Sequence, residues 1–332
     1  MNKYNFLIAA VCLAVVICAG FLLSGSTSSS SVHFLPAEIS SSEVVEEENF
    51  SLTVAVTVPN EIEFAGKQIK LDRYDLRERF DREINSFTYY HSTTLLMIKR
   101  ANRYFPVIEP ILKAHNIPDD FKYMAVIESH LEPKAVSPAK ATGVWQFMEE
   151  TGKRYGLVVN SEVDERYHVE KSTVAACKYL KEAMARYGDW TTVAASYNAG
   201  MGRINSELSQ QQVNTSLDLL LVEETSRYVF RIYAIKQIFE QPRQYGFRLT
   251  NENLYPFIPA KKVEVTESVE LTDLANKYNL TYAQLKEFNP WLRDRKLTIT
   301  PGKSYIVNIP EKSALYYNPA NTKVHDRRWV GE

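Results

Sequence analysis

The sequence predicts a mainly α protein that ends in a small strand–helix–helix–strand module. Three observations carry this reading. Between residues 74 and 241, segment after segment repeats its apolar residues at helical spacing. That pattern breaks at NENLYPFIPA (251–260), an irregular stretch with two prolines. Beyond it, residues 262–310 alternate short strand and helix patterns. A chain of 332 residues is long enough for more than one domain and for a sizeable core.

Lys3 precedes an uninterrupted apolar run, 6–23, of 18 residues. That is long for the apolar region of a signal peptide and short for a spanning helix. Ser24, Gly25 and Ser26 are small enough to support cleavage, so residues 1–26 read as a signal peptide or an N-terminal membrane anchor. A lipoprotein signal wants a small residue before its acceptor cysteine, and Ile17 stands before Cys18. Each reading predicts export. Residues 27–57 then form a Ser/Glu-rich linker with a leading strand. The polar stretch 24–49 has the composition of a disordered tether, and SLTVAVTV (51–58) alternates and is β-branched.

The helical part contains DLRERFDREINSF, TTLLMIKRANRYF, PVIEPILKAH, DDFKYMAVIESHL, EKSTVAACKYLKEAMARYG, DWTTVAASYNAG and ETSRYVFRIYAIKQIFE. Asp119 and Asp120 suit a first turn, Gly188 and Gly200 suit helix ends, and Asp189 suits a cap. In the C-terminal unit, KVEV (262–265) reads as a strand. LTDLANKY (271–278) puts Leu271, Leu274, Ala275 and Tyr278 on one helical face. TYAQLKEFN (281–289) is a helix stopped by Pro290, and PGKSYIVNIP (301–310) is a turn and a strand. Residues 311–332 read as a polar tail.

Basic residues number 39 and acidic residues 40, which argues against a nucleic-acid binder. Cys12 and Cys18 lie in the apolar run, leaving Cys177 without a disulfide partner and best read as a small buried apolar residue. The six histidines show no metal-binding spacing, so no metal and no cofactor are expected.

One residue stands out in the helical part. On a helix over 119–131, Glu128 falls in the middle of the apolar face of Phe121, Met124, Ala125 and Leu131, close to the end that Pro133 imposes. Desolvation and the negative end of the helix dipole both raise its pKa. A glutamate protonated near neutral pH suits general acid catalysis of glycoside cleavage. The pattern alone leaves a second reading open, a buried glutamate paired with an arginine such as Arg203 or Arg227.

The neighbouring motifs add a resemblance. ES (128–129), GVWQFM (143–148), ASYNAG (195–200) and ETSRYV (224–229), in this order and spacing, resemble the lytic transglycosylases of the soluble-lytic-transglycosylase, goose-lysozyme-like group. The branch they look most like is the membrane-bound type D enzymes. The resemblance runs from about Val58 to Gln241 and implies a lysozyme-like helical catalytic domain over 58–250. Residues 262–310 resemble a LysM peptidoglycan-binding domain, with Glu267 and Ser268 where a LysM usually shows Gly-Asp.

The resemblance implies cleavage of the β-1,4 bond between N-acetylmuramic acid and N-acetylglucosamine. Glu128 protonates the leaving oxygen, then acts as base while the muramyl C6 hydroxyl closes a 1,6-anhydro ring. Most glycosidases use a second carboxylate. Glu132, Glu149, Glu150, Asp164 and Glu165 are the nearby candidates and none stands out, which fits assistance by the substrate's 2-acetamido group. The motifs also carry over substrate-binding positions: Ser129 beside the acid, Gln146 to orient a sugar or the acid, Tyr197 and Asn198 lining the cleft, and Tyr228 with its hydroxyl near Glu128. The bland reading of Ser129 is a serine at a helix end, and that of Asn198 a turn-stabilising residue before Gly200. Gly143 permits a close turn before a helix carrying Trp145, Phe147 and Met148, which belong to the core. The motif has Val144-Trp145 in place of Leu-Met and Ser196 in place of Ala. The implied partners are peptidoglycan glycan strands and, through the N-terminus, a membrane. The implied location is the cell envelope, in the periplasm and membrane-associated. A muramidase hydrolase on the same fold and a non-catalytic wall-binding scaffold are the alternatives.

Overall fold

A computed structural model describes residues 54–318 and 322–331. The expected signal or anchor, nearly all of the linker and the start of the expected 51–58 strand lie outside the described residues.

Residues 54–58 are irregular. A strand needs a ladder partner, and here side chains of the first helix take the backbone donors instead. Val54 N donates to Tyr89 Oη at 2.8 Å and Val56 N to Asn85 Oδ1 at 3.4 Å. The first strands come later, as an antiparallel hairpin of β1 (Glu61–Phe64) and β2 (Lys67–Lys70), with Glu61 opposite Lys70. Ala65 and Gly66 form its turn, both at positive φ, as two-residue hairpins require.

Eight helices follow: α1 (Tyr74–Tyr89), α2 (His91–Ala114), α3 (Lys122–Ser129), α4 (Glu149–Arg154), α5 (Val169–Tyr187), α6 (Trp190–Ala199), α7 (Met201–Gln211) and α8 (Glu223–Glu240). The segments read separately as 93–105 and 106–115 are one helix, α2, which runs through Pro106 and Pro110. Each proline removes one backbone donor. The continuous buried stripe of Met97, Ile98, Ala101, Phe105, Ile108 and Leu112 holds the helix together regardless. Gly188 ends α5 in a left-handed conformation, and Asp189 caps α6 by accepting from Thr192 N at 2.9 Å, as the spacing predicts. The α7 helix escapes a periodicity reading because Ile204 is its one buried residue. The opposite case is α8, apolar on several sides and packed against α1, α3 and α6, as a central core helix is.

The C-terminal module pairs β3 (Ala260–Val265) with β6 (Tyr305–Pro310), Val263 opposite Val307. Between them lie β4 (Val269–Glu270), α9 (Leu271–Lys277), α10 (Tyr282–Phe288) and β5 (Lys296–Leu297). Its core of Leu271, Leu274, Leu285, Leu292, Leu297 and Val307 is joined by Val163 and Tyr167 from the helical part. The polar tail is more than polar. Trp329 is 2 % exposed in the main core, donates its indole N–H to Phe239 O at 3.0 Å and packs on Phe105 and Phe239.

Candidate active site

The helix bearing Glu128 is shorter than 119–131. Residues 119–121 form a 3-10 turn, and α3 stops at Ser129 because His130 and Leu131 both turn left-handed, with φ of 53° and 56°. Glu128 therefore sits in the last turn of a helix whose other side chains are buried, and is itself half-buried. Burial pushes its carboxyl up to about 7. The Tyr228 hydroxyl, which donates to Glu128 Oε1 at 2.6 Å, and the Arg231 charge pull the other way; the Glu224 charge adds to the rise. Among the described residues no ion pair holds Glu128. Arg227, the arginine that could have paired with it, grips Glu83 through Nε at 2.6 Å and Nη2 at 3.1 Å, and Arg203 is exposed.

A cleft of about 510 Å³ is lined by Glu83, His130, Glu224, Arg227 and Arg231; Glu128 is not in its walls, but the charges of Glu224 and Arg231 act on it. His130 is held below its ordinary pKa by burial and by the charges of Arg231 and Arg100. A second groove, of about 440 Å³, runs between α2, the 132–134 turn and the module. Glu128 is not in the walls of this groove either.

The 143–148 segment is a turn rather than the expected helix, which begins only at Glu149. Gly143 has φ 79°, and a Cβ there would lie 1.9 Å from the Arg166 carbonyl oxygen, so the position admits only glycine. Trp145 and Phe147 are core residues as expected, but Met148 is 46 % exposed. Gln146, at φ 48°, donates through Nε2 to Gly143 O at 2.8 Å and to Ala135 O at 3.3 Å. Its amide oxygen has no hydrogen-bond partner among the described residues. Tyr197 donates to Trp145 O at 2.9 Å and packs edge-on against Trp145, Phe147 and Tyr179, tying α6 to the turn. The charge of Glu128 helps to hold both the Tyr197 and Tyr228 hydroxyls well above their ordinary pKa, behind burial as the main cause. Asn198 is half-buried at the end of α6.

Ser129 lies elsewhere than the cleft. It is buried, with its hydroxyl 2.9 Å from Val144 O and 3.2 Å from Ala125 O. It links α3 to the turn, a use closer to the bland reading of a helix-end serine.

The acidic candidates read from the sequence are committed, whereas Glu224, whose charge acts on Glu128, has no ion pair among the described residues. Glu132 takes Arg100 at 2.5 Å, and Glu149 takes Lys153 at 2.6 Å, with Glu150 beside it on the exposed surface. Glu165 binds Lys171 and accepts from Val158 N at 2.9 Å. Asp164 forks the guanidinium of Arg166, Oδ1 to Nε at 2.9 Å and Oδ2 to Nη2 at 2.7 Å. Arg166 in turn donates to Lys140 O and Phe147 O, at 3.3 and 3.2 Å, and so braces the turn carrying Gln146. Sequence reading missed this brace and the roles of Arg231 and Glu224 around Glu128. Glu224 and Arg231 flank Tyr228 on α8, four residues before it and three after, a spacing that could have drawn attention to them.

Comparison with known proteins gives the class. Residues 106–217 match the transglycosylase SLT domain, and residues 261–313 match the soluble lytic transglycosylase C-terminal LysM-like domain. The chain is thus an SLT-domain protein with a LysM-like C-terminal domain. Among relatives, it is 30 % identical over 261 residues to membrane-bound lytic murein transglycosylase D of Escherichia coli strain K12, covering 76 % of this chain and 56 % of that protein. It therefore spans little more than half the length of that relative. Over 140 residues it is 28 % identical to membrane-bound lytic murein transglycosylase F of Vibrio campbellii, 39 % of this chain and 24 % of that one. The structure of the 70 kDa soluble lytic transglycosylase of Escherichia coli aligns with 41 % of this chain and 24 % of its own, at 23 % identity and a TM-score of 0.36.

Proposed function

We propose that this protein is an exported peptidoglycan lytic transglycosylase, cleaving the β-1,4 bond between N-acetylmuramic acid and N-acetylglucosamine and leaving 1,6-anhydromuramic ends. The observation that carries the reading is Glu128, a carboxyl raised to about 7 with one neutral hydroxyl, Tyr228, at 2.6 Å. A group with this pKa is half protonated at neutral pH, so it can give a proton to the leaving oxygen and take one back from the C6 hydroxyl. The 2-acetamido group of the substrate then does the work of a second carboxylate: Glu132, Glu149, Asp164 and Glu165 are held in ion pairs, and Glu224, without one among the described residues, is the remaining acid near Glu128. Tyr228 orients Glu128 and steadies its charged form. The free amide oxygen of Gln146 and the amide of Asn198 hold sugar groups, and Tyr197 and Ser129 keep the turn of Gln146 in place. The names of the relatives, membrane-bound murein transglycosylases, support action at the cell envelope, in the periplasm, with the LysM-like module on the wall.

Digesting purified peptidoglycan with residues 27–332 and reading the soluble products by mass spectrometry tests this. Muropeptides one water lighter, with anhydro ends, are expected. Reducing ends would make the enzyme a muramidase. No product from a preparation that still sediments with wall would make it a binding scaffold.

A further inference from the structure

The C-terminal module and the turn that carries Gln146 share one support. Residues 158–168 lie between them. On the module side, Asp164 N donates to Trp291 O at 2.9 Å and Arg293 N to Glu162 O at 2.7 Å. The Glu162 carboxylate accepts from Thr298 N at 2.7 Å and Thr298 Oγ1 at 2.9 Å. The Arg293 guanidinium lies 4.1 Å over the Tyr167 ring, and Val163 and Tyr167 complete the module's own core. Lys262 reaches Glu170 at 3.1 Å. On the other side, the same Asp164 forks Arg166, whose guanidinium holds Lys140 O and Phe147 O and whose carbonyl oxygen fills the space a Cβ on Gly143 would need.

We propose that the module is a built-in brace of the candidate active site: its docking on residues 158–168 sets the Asp164–Arg166 fork, and the fork positions the turn of Gln146. One residue, Asp164, carries both halves, its backbone N–H bound to the module and its carboxylate bound to Arg166. A module that served only to hold the wall would need a tether and few contacts with its neighbour. This one shares a core and a β-bridge, Val163 with Leu292. Asp164 and Arg166 are positioning residues. The part of the inference that concerns turnover rests on the reading of Glu128 and Gln146 given above.

The test undocks the module in the full chain with Glu162→Ala and Arg293→Ala, singly and together, both far from Glu128 in sequence and neither in the core. Glu162→Gln, which keeps the side-chain volume and one acceptor, is the milder variant should the pair fold poorly. Hydrogen exchange is read at 291–299, at 140–147 and at α8. In the native chain Thr142 N, Gly143 N, Gln146 N and Phe147 N are all bonded within or beside the turn. Exchange at 140–147 is expected to rise roughly tenfold together with 291–299 while α8 stays unchanged. On a soluble glycan strand, kcat is expected to fall about tenfold with KM held within about twofold, since the turn is displaced and not removed. Arg166→Ala should reproduce that split, and Arg166→Lys should restore it only in part, because lysine cannot fork a carboxylate. Faster exchange at 291–299 with native exchange at 140–147 would overturn the brace. A loosened turn with unchanged kcat would overturn its role in turnover. If the native chain cleaves no glycan, the proposed function fails by itself, and the exchange result still decides the brace.

Discussion

Two adjacent residues of α8 each meet a glutamate, and the two glutamates are treated in opposite ways. Arg227 reaches Glu83 on α1, which is 1 % exposed and also touched by Arg82 at 3.2 Å. Tyr228 reaches Glu128 on α3, which receives one hydroxyl and no cation within ion-pair distance among the described residues. Glu83, given a fork of donors, ties two helices together. A buried acid given a single neutral donor rises toward neutrality and keeps a transferable proton. The same helix thus supplies a structural clamp and, one residue later, a candidate catalytic contact. What separates them is the partner, since both acids sit among helices and both are largely withdrawn from water.

The comparison can be broken at either end. The largest effect expected is on turnover: Glu128→Gln should lower kcat by roughly 10²–10⁴-fold while the chain folds normally, checked by muropeptide release and circular dichroism. Next comes Glu83→Gln, which takes the carboxylate from Arg227, itself 35 % exposed, and should cost about 2 kcal/mol in urea unfolding while cleavage survives at permissive temperature. Equal losses of activity from the two variants would erase the distinction.

Stability follows the protonation of Glu128 with a definite sign. Glu128 goes from an ordinary 4.5 to about 7, so folding takes up a proton. Its favourable contribution is full below pH 4.5, declines as pH rises through about 7 and is gone above it. Glutamine imitates the protonated form, so Glu128→Gln should be more stable than the native chain at pH 8, by about 3 kcal/mol at most, and equal to it at pH 4. The smallest effect belongs to Tyr228→Phe. Losing the hydroxyl removes a bond that favours the charged carboxylate, so the limb on which activity falls with rising pH should move up by about one unit. A shift to lower pH would mean that Tyr228 acts otherwise.

Much of this architecture can be read in the sequence because burial writes itself into periodicity. The stripes of α5 and α8, and the Gly188–Asp189 stop and start, are local signals with local consequences. The failures have physical causes too. SLTVAVTV has the composition of a strand, but its described residues bond to side chains of α1. The helix α2 survives two prolines through its packing. Trp329 looks like part of a polar tail until the core it fills is known. In the site, Glu128 is visible as a misplaced charge, but Tyr228 lies 100 residues away and was reached through the resemblance of the motifs. The Asp164–Arg166 fork left one trace, Gly143, whose need for glycine comes from a carbonyl oxygen 23 residues along the chain.

The central claim is that Glu128 holds a proton near neutral pH. It is tested most directly by following the side-chain carboxyl carbons of ¹³Cδ-glutamate-labelled protein by NMR from pH 3 to pH 9, with Glu128→Gln to assign the resonance. A signal missing from the variant should titrate at about 7. A midpoint at or below 4.5 would show a carboxylate charged throughout, and would contradict it.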